Sequence, residues 1–217
     1  MLSSPILGTI QMRIICVSDL HGHFPSIPDC DLLLLSGDYC PMSKHQHWWY
    51  RDKFAIWLNG LSNRMKIIGV AGNHDFIFEE YPHLLPVLNW EYLQDSGCEF
   101  NGLKFWGTPW TLRFHDWAFN ADENELNQKF GLIPDDTDII ITHGPPLGYG
   151  DFSQYGKERI GSKYLYDKIV RIQPKLVVYG HNHDGYGRYQ IGNTVCLNCA
   201  LVNDAYKPVN SIQVIDI

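Results

Sequence analysis

Apolar residues in the first third of the chain come in short unbroken runs. Met12 to Val17 is apolar apart from Arg13, Leu32 to Leu35 is all leucine, and Lys66 to Ala71 is apolar after its first residue. Runs of this length with no polar face predict strands of a parallel sheet covered on both sides. Between the second and third runs, Tyr50, Phe54, Trp57, Leu58 and Leu61 recur at i, i+4, i+7, i+8 and i+11, one face of an amphipathic helix. A later helix is predicted over Gly161 to Ile172, with Leu165, Ile169 and Ile172 aligned and Pro174 ending it.

The second half reads as richer in strands. Asn101-Gly102 between the short apolar stretches of Cys98 to Trp106 is a hairpin signal. Ile139 to Thr142, Leu176 to Tyr179, Thr194 to Leu197 and Ile212 to Ile215 have strand character. Parallel units followed by a strand-rich half predict an α/β fold in which two sheets pack together with helices outside. With no repeat, low-complexity tract or linker, residues 1–217 are expected to form one domain, residues 1–11 being an extension before the first strand.

Composition alters this picture little. At 45% hydrophobic and 19% charged, the chain has enough apolar residues for a substantial core. No apolar run reaches membrane-spanning length and no signal-peptide pattern precedes Met12, so a soluble cytoplasmic protein is expected. The six cysteines have no framework spacing and are read as reduced thiols, Cys196-x-x-Cys199 included. Net charge does matter. At −7, the chain lacks the basic balance that stable nucleic-acid binding requires.

The chemistry lies where the strands end. The first three runs lead into Asp19-Leu20-His21, Gly37-Asp38 and Gly72-Asn73-His74-Asp75, and a later strand leads into His143-Gly144. In open α/β sheets ligands bind at the carboxyl ends of strands, so clusters far apart in sequence are expected to converge. Singly these are ordinary turn dipeptides or surface histidines. His181-x-His183 is stronger, since alternate residues of an extended segment can share a metal where the backbone bends.

Taken in order, D-x-H, G-D, G-N-H-D, T-H-G and G-H-x-H resemble the blocks of the calcineurin-like metallophosphoesterase superfamily, across residues 19 to 183. The resemblance implies a four-layer αββα sandwich of two mixed β-sheets and a site for two divalent metal ions. It places Asp19, His21 and His183 on the first metal, Asn73, His143 and His181 on the second, and Asp38 bridging both. It places His74 beside the scissile phosphate, with Asp75 orienting its imidazole; Asn73 and His74, with His23 nearby, are the expected substrate contacts. Nitrogen and oxygen donors of this kind suit Mn²⁺, the first expectation, and also Fe or Zn²⁺. Two such ions make a shared hydroxide available near neutral pH and neutralise the transferring group. Against two carboxylates and that hydroxide they leave the site about one positive charge, which draws an anionic ester into an otherwise acidic protein.

A narrower resemblance rests on Gly107-Thr108-Pro109-Trp110, on Thr142 to Gly148 and on Gly180 to Gly187, with Asn198 and Lys207 to Asn210 at the close. These segments are similar to the metallophosphoesterase-domain-containing branch, the class III-type phosphodiesterases. That implies hydrolysis of small or cyclic phosphodiesters, including 2′,3′-cyclic nucleotides. The alternatives are a phosphomonoesterase or protein phosphatase using the same site, a nuclease, which the acidic balance disfavours, and a non-catalytic regulatory module retaining the fold. Trp110, Phe114, Tyr149 and Tyr186 are candidates either to stack on a base or to pack. His45-x-His47 reads as a solvated pair.

Overall fold

The computed structural model describes residues 11–41 and 46–217. The expected extension, apart from Gln11, and His45 of the His45-x-His47 pair lie outside the described residues. From the amino end, β1 (Arg13–Val17) and β2 (Leu32–Ser36) are followed by a continuous helical stretch: α1 (His47–Trp49), a wider π turn (Tyr50–Phe54) and α2 (Ala55–Ser62). Then come β3 (Lys66–Val70), α3 (Phe76–Glu80) and β4 (Glu91–Tyr92). A hairpin of β5 (Ser96–Phe100) and β6 (Leu103–Thr108) leads to β7 (Thr111–Leu112), β8 (Asn120–Ala121), α4 (Glu123–Gly131) and β9 (Ile139–Thr142). The chain ends with β10 (Phe152–Ser153), β11 (Glu158–Arg159), α5 (Lys163–Ile172), β12 (Leu176–Tyr179), β13 (Gly187–Ile191), β14 (Thr194–Asn198) and β15 (Gln213–Asp216).

Two mixed sheets result. One has the order β15-β1-β2-β3-β4, parallel except for β15, which pairs antiparallel with β1. The other has the order β13-β14-β12-β9-β6-β5, parallel at its centre with antiparallel β13 and β5 at its edges. Strand alternation produces the layers, because successive side chains point to opposite faces. Ile14, Cys16, Leu32, Leu34, Ile68 and Val70 meet Phe105, Ile139, Ile141, Leu176, Val178 and Leu197 between the sheets. The alternate residues Ile15, Val17, Leu33, Leu35 and Ile67 face Tyr50, Phe54, Leu58 and Leu61. On the far side Ile140, Val177 and Cys196 face Leu126, Phe130, Leu165 and Ile169 of α4 and α5. This is the expected αββα sandwich, and it explains why the strands carry no polar face.

The differences from expectation are local. The predicted helix at Gly161 starts at Lys163, because Ser162 is its cap and its hydroxyl accepts from the Leu165 amide at 3.3 Å. Asn101 and Gly102 turn the β5–β6 hairpin with φ of 49° and 77°. Cys196 faces the outer helices whereas Cys199 lies between the sheets, so the C-x-x-C spacing puts the two thiols in separate layers. Among the described residues no helix is long and apolar enough to cross a membrane.

Candidate metal centre and substrate pocket

The parallel strands β1, β2, β3, β9 and β12 release their polar clusters along one edge of the sandwich. The backbone then turns sharply. Asp19, His21, Asp38 and His181 all adopt the left-handed region, with φ of 53°, 41°, 57° and 66°. Non-glycine residues there cost about 1–2 kcal/mol each and persist only where the surroundings hold them. Here the amides of Asp19 and His21 donate to the carbonyls of Gly37 and Asp38 at 2.9 and 3.0 Å, lacing the two loops together. Gly180 and Gly72 permit the close approach: a Cβ on Gly180 would overlap the Asp19 carboxylate and the Ser18 hydroxyl, and one on Gly72 would overlap Asp38 and the His143 ring.

All the predicted donor residues come together. His183 Nε2 lies 3.3 Å from Asp19 Oδ1, and His21 Nε2 lies 4.0 Å from the same oxygen and 3.7 Å from Asp38 Oδ2. His143 Nε2 is 3.3 Å from Asp38 Oδ2. Asn73 Oδ1 faces both His143 Nε2 at 2.9 Å and His181 Nδ1 at 2.7 Å. Donor atoms of Asp19, His21 and His183 lie within 4.8 Å of one another, as do those of Asp19, Asp38 and His143. Asp38 therefore stands between the two halves of the cluster.

The donor chemistry fits divalent cations. Both ring nitrogens of His21 are buried and have no hydrogen-bond partner among the described residues, an arrangement that is costly unless something else occupies a lone pair. His143 Nδ1 contacts the Ser36 carbonyl at 2.7 Å, so Nδ1 donates there and Nε2 points into the cluster, where a bound cation would take the place of a proton on it. Burial pushes His21 down to about 4 and, with the His143 charge, His181 down to about 3. For His143, burial is outweighed by the adjoining Asp38 carboxylate, which raises it to about 9. Burial also opposes the charge on Asp38, yet the surrounding imidazoles, His143 first, hold that carboxyl well below its usual range.

Asp75 is a correction. Its carboxylate does not orient the His74 imidazole. Oδ2 accepts from the amides of Asp38 and Gly72, both at 2.8 Å, while Oδ1 accepts from the Tyr39 amide at 2.9 Å and the Tyr50 hydroxyl at 2.6 Å. It knots the loops after β2 and β3 to the helical stretch. His74 is held otherwise. Its amide donates to Asp38 Oδ1 at 2.7 Å, its carbonyl accepts from Gln46 Nε2 at 2.5 Å, and its ring packs edge-on against Trp117 with centroids 3.6 Å apart. Gln46 and Trp117 sit in segments with no periodicity, so nothing in the sequence marked them.

The cluster opens into a pocket of about 470 Å³. Asp38, Asn73, His74, His181 and His183 line its inner end, and Phe114, Trp117, Tyr155, Arg159 and Tyr206 are among those lining the rest. Tyr206 has φ 56° and lays its ring edge-on to His21 at 4.7 Å between centroids. His23, expected near substrate, holds this residue instead, with Nε2 3.0 Å from the Tyr206 carbonyl. Of the four aromatic candidates, only Phe114 reaches the pocket. Trp110 donates to Asp95, Tyr149 stacks on Tyr166, and Tyr186 donates to the Ser211 carbonyl.

Comparison with known proteins agrees with this geometry. The family model described as calcineurin-like phosphoesterase matches residues 12–185. The human metallophosphoesterase domain-containing protein 1 is 35% identical over 94% of this chain and 71% of its own length. A UPF0046 protein of Caenorhabditis elegans is 33% identical over 93% of this chain and 73% of its own. Among solved structures, TT1561 of Thermus thermophilus superposes with a TM-score of 0.59 at 15% identity, over 95% of this chain and 99% of that one, a likeness of fold.

Proposed function

The chain belongs to the calcineurin-like phosphoesterase family, and on that premise we propose that it is a metal-dependent phosphodiesterase whose dinuclear site acts on small or cyclic phosphodiesters. The observation that carries this reading is the shared position of Asp38, whose Oδ2 lies 3.7 Å from His21 Nε2 on one side and 3.3 Å from His143 Nε2 on the other. One carboxylate can thus serve two adjacent cations. Asp19, His21 and His183 are assigned to the first, Asn73, His143 and His181 to the second. When bound, two divalent ions supply Lewis-acid activation of water and neutralise charge on the transferring phosphoryl group.

The remaining work falls to the chain. Asp19 and Asp38 bring the negative charge that retains the cations in a buried pocket, and the imidazoles add neutral donors, so the centre keeps a positive balance towards an anionic ester. The Ser36 carbonyl and the Asn73 amide fix the His143 ring before any ligand arrives, which limits reorganisation. His74 lies at the pocket face, 3.8 Å from Asp38 Oδ2 through Nε2. Burial lowers its pKa below the ordinary imidazole value, so at neutral pH the ring is uncharged and offers one N–H to a phosphoryl or leaving-group oxygen.

Metal analysis together with a substrate panel tests the reading. Chelation should abolish hydrolysis and Mn²⁺ should restore it, with 2′,3′- and 3′,5′-cyclic nucleotides and a bis-aryl phosphate turned over faster than the matching monoesters. A strong preference for the monoesters overturns the diesterase assignment.

A further inference from the structure

The pocket is larger than one phosphoryl group fills, and two arginines stand on its lining beyond the predicted metal donors. They come from separate elements. Arg113 directly follows β7, and Arg159 ends β11 in the β10–β11 hairpin. Of the carboxylates on the same lining, Asp38 and Asp204 face histidines of the cluster, which leaves Glu158 against two guanidiniums. In a protein of net charge −7, that wall runs against the general balance.

Neither guanidinium is used up. Arg159 donates from Nη1 to Asp151 Oδ1 at 2.6 Å and makes no other hydrogen bond or ion pair to a described residue. Asp151 is 1% exposed, whereas the arginine side chain is 53% exposed, so a buried carboxylate holds the group by one edge and leaves Nε and Nη2 to donate. Arg113 is freer still. Its Nη2 lies 3.6 Å from Glu125 Oε2, beyond hydrogen-bond length, and that oxygen already accepts from the Asp122 amide at 2.7 Å in the cap of α4. An exposed pair at such a distance is weak and gives way to a better acceptor.

The hairpin that carries Arg159 is tied to the cluster. Asn182, between the two histidines of the G-H-x-H block, donates from its buried side-chain amide to the carbonyls of Gly150 at 2.8 Å and Phe152 at 3.1 Å. Asp184 accepts from the Gln154 amide at 2.9 Å. The loop that places His181 and His183 therefore also places the arm bearing Arg159.

We propose that Arg113 and Arg159 form a second anion subsite, so that the pocket selects phosphodiesters carrying a further phosphomonoester group, the diester lying at the strand-end cluster and the distal phosphate between the two guanidiniums. This rests on the phosphoesterase reading of the site and adds a substrate class to it. A guanidinium fork matches phosphate oxygens two donors at a time, and its charge persists throughout the physiological pH range.

The test uses base-free ligands that differ only in the distal phosphate. Hydrolysis of methyl riboside 2,3-cyclic phosphate by the full chain with Mn²⁺ is compared with that of its 5-phosphate. Binding of methyl riboside 3-phosphate and of the 3,5-bisphosphate is compared by calorimetry on the same preparation. The wild type should favour the 5-phosphorylated member of each pair about tenfold or more, in kcat/KM and in Kd. Arg113→Gln and Arg159→Lys should each cut that preference about threefold or more, and the double variant should bring it close to unity. Lysine keeps a charge opposite Asp151 but lacks the fork, so the buried carboxylate is not left alone, and circular dichroism should match the wild type. No preference in the wild type, or an undiminished preference in the double variant, overturns the subsite. If the wild type hydrolyses neither ester while the bisphosphate still binds more tightly and loses that advantage in the double variant, the hydrolytic reading fails and the subsite stands.

Discussion

A buried imidazole whose Nδ1 faces the Ser36 carbonyl has only Nε2 left to offer, and in His143 that atom looks at Asp38 and Asn73 together. The same economy holds for Asp38, where Oδ1 is engaged by the His74 amide and Oδ2 faces three imidazoles. Single substitutions at these positions should therefore separate catalysis from folding. His143→Ala or Asp38→Ala is expected to lower phosphodiester turnover by about 10³-fold or more, the scale on which groups acting together at a reacting centre are lost. The far-ultraviolet circular dichroism should be unchanged. Wild-type turnover in either variant would overturn the metal mechanism.

Between elements, what matters is how closely loops from different strands approach. Gly180 follows β12 where the Asp19 carboxylate and the Ser18 hydroxyl already fill the space a methyl group would take. Gly180→Ala removes no donor, yet it must push Asp19 away from His183, and it should reduce activity at least tenfold while lowering metal affinity, as measured by titration calorimetry. Asp75 acts at the same scale. Its carboxylate is wholly buried and accepts from three amides and the Tyr50 hydroxyl. Asp75→Ala orphans those donors and should cost about 3–5 kcal/mol in urea denaturation. A loss under about 1 kcal/mol would mean that the knot is not structural.

The contrast between Asp75 and its neighbours shows what the sequence could tell. Strand ends were legible because parallel strands buried on both faces read as pure apolar runs, and the next polar residue must lie at the sheet edge. Asp38, Asn73 and His143 follow from that rule together with the order of the motifs. The direction in which a side chain turns after the strand was not legible. Asp75 sits beside His74 in sequence, but its carboxylate turns back to the Asp38, Tyr39 and Gly72 amides. Trp117, Tyr155 and Tyr206 sit in irregular segments where neither period 2 nor period 3.6 applies, and they reach the pocket only through long-range contacts. His23 showed the converse, near in sequence to the D-x-H block but engaged with the Tyr206 carbonyl.

For the molecule as a whole, the cluster should couple metal binding to stability. Asp19 and Asp38 are buried in a protein of net charge −7, and beside them His21, His74, His143, His181 and His183 converge from loops of both sheets. Ions that bind only the folded arrangement must stabilise it, since the unfolded chain scatters these donors over residues 19 to 183. At a hundredfold excess over Kd, one such ion contributes about 2.7 kcal/mol, which in a domain of this size raises Tm by roughly 5–10 °C. Scanning calorimetry with and without Mn²⁺ should show that rise. Chelator should reverse it, and Asp38→Ala should lose most of it, because the shared carboxylate contributes to both halves of the cluster. The same rise in Asp38→Ala would mean that the stabilising ion sits elsewhere and that the strand-end cluster is not where this protein holds its metals.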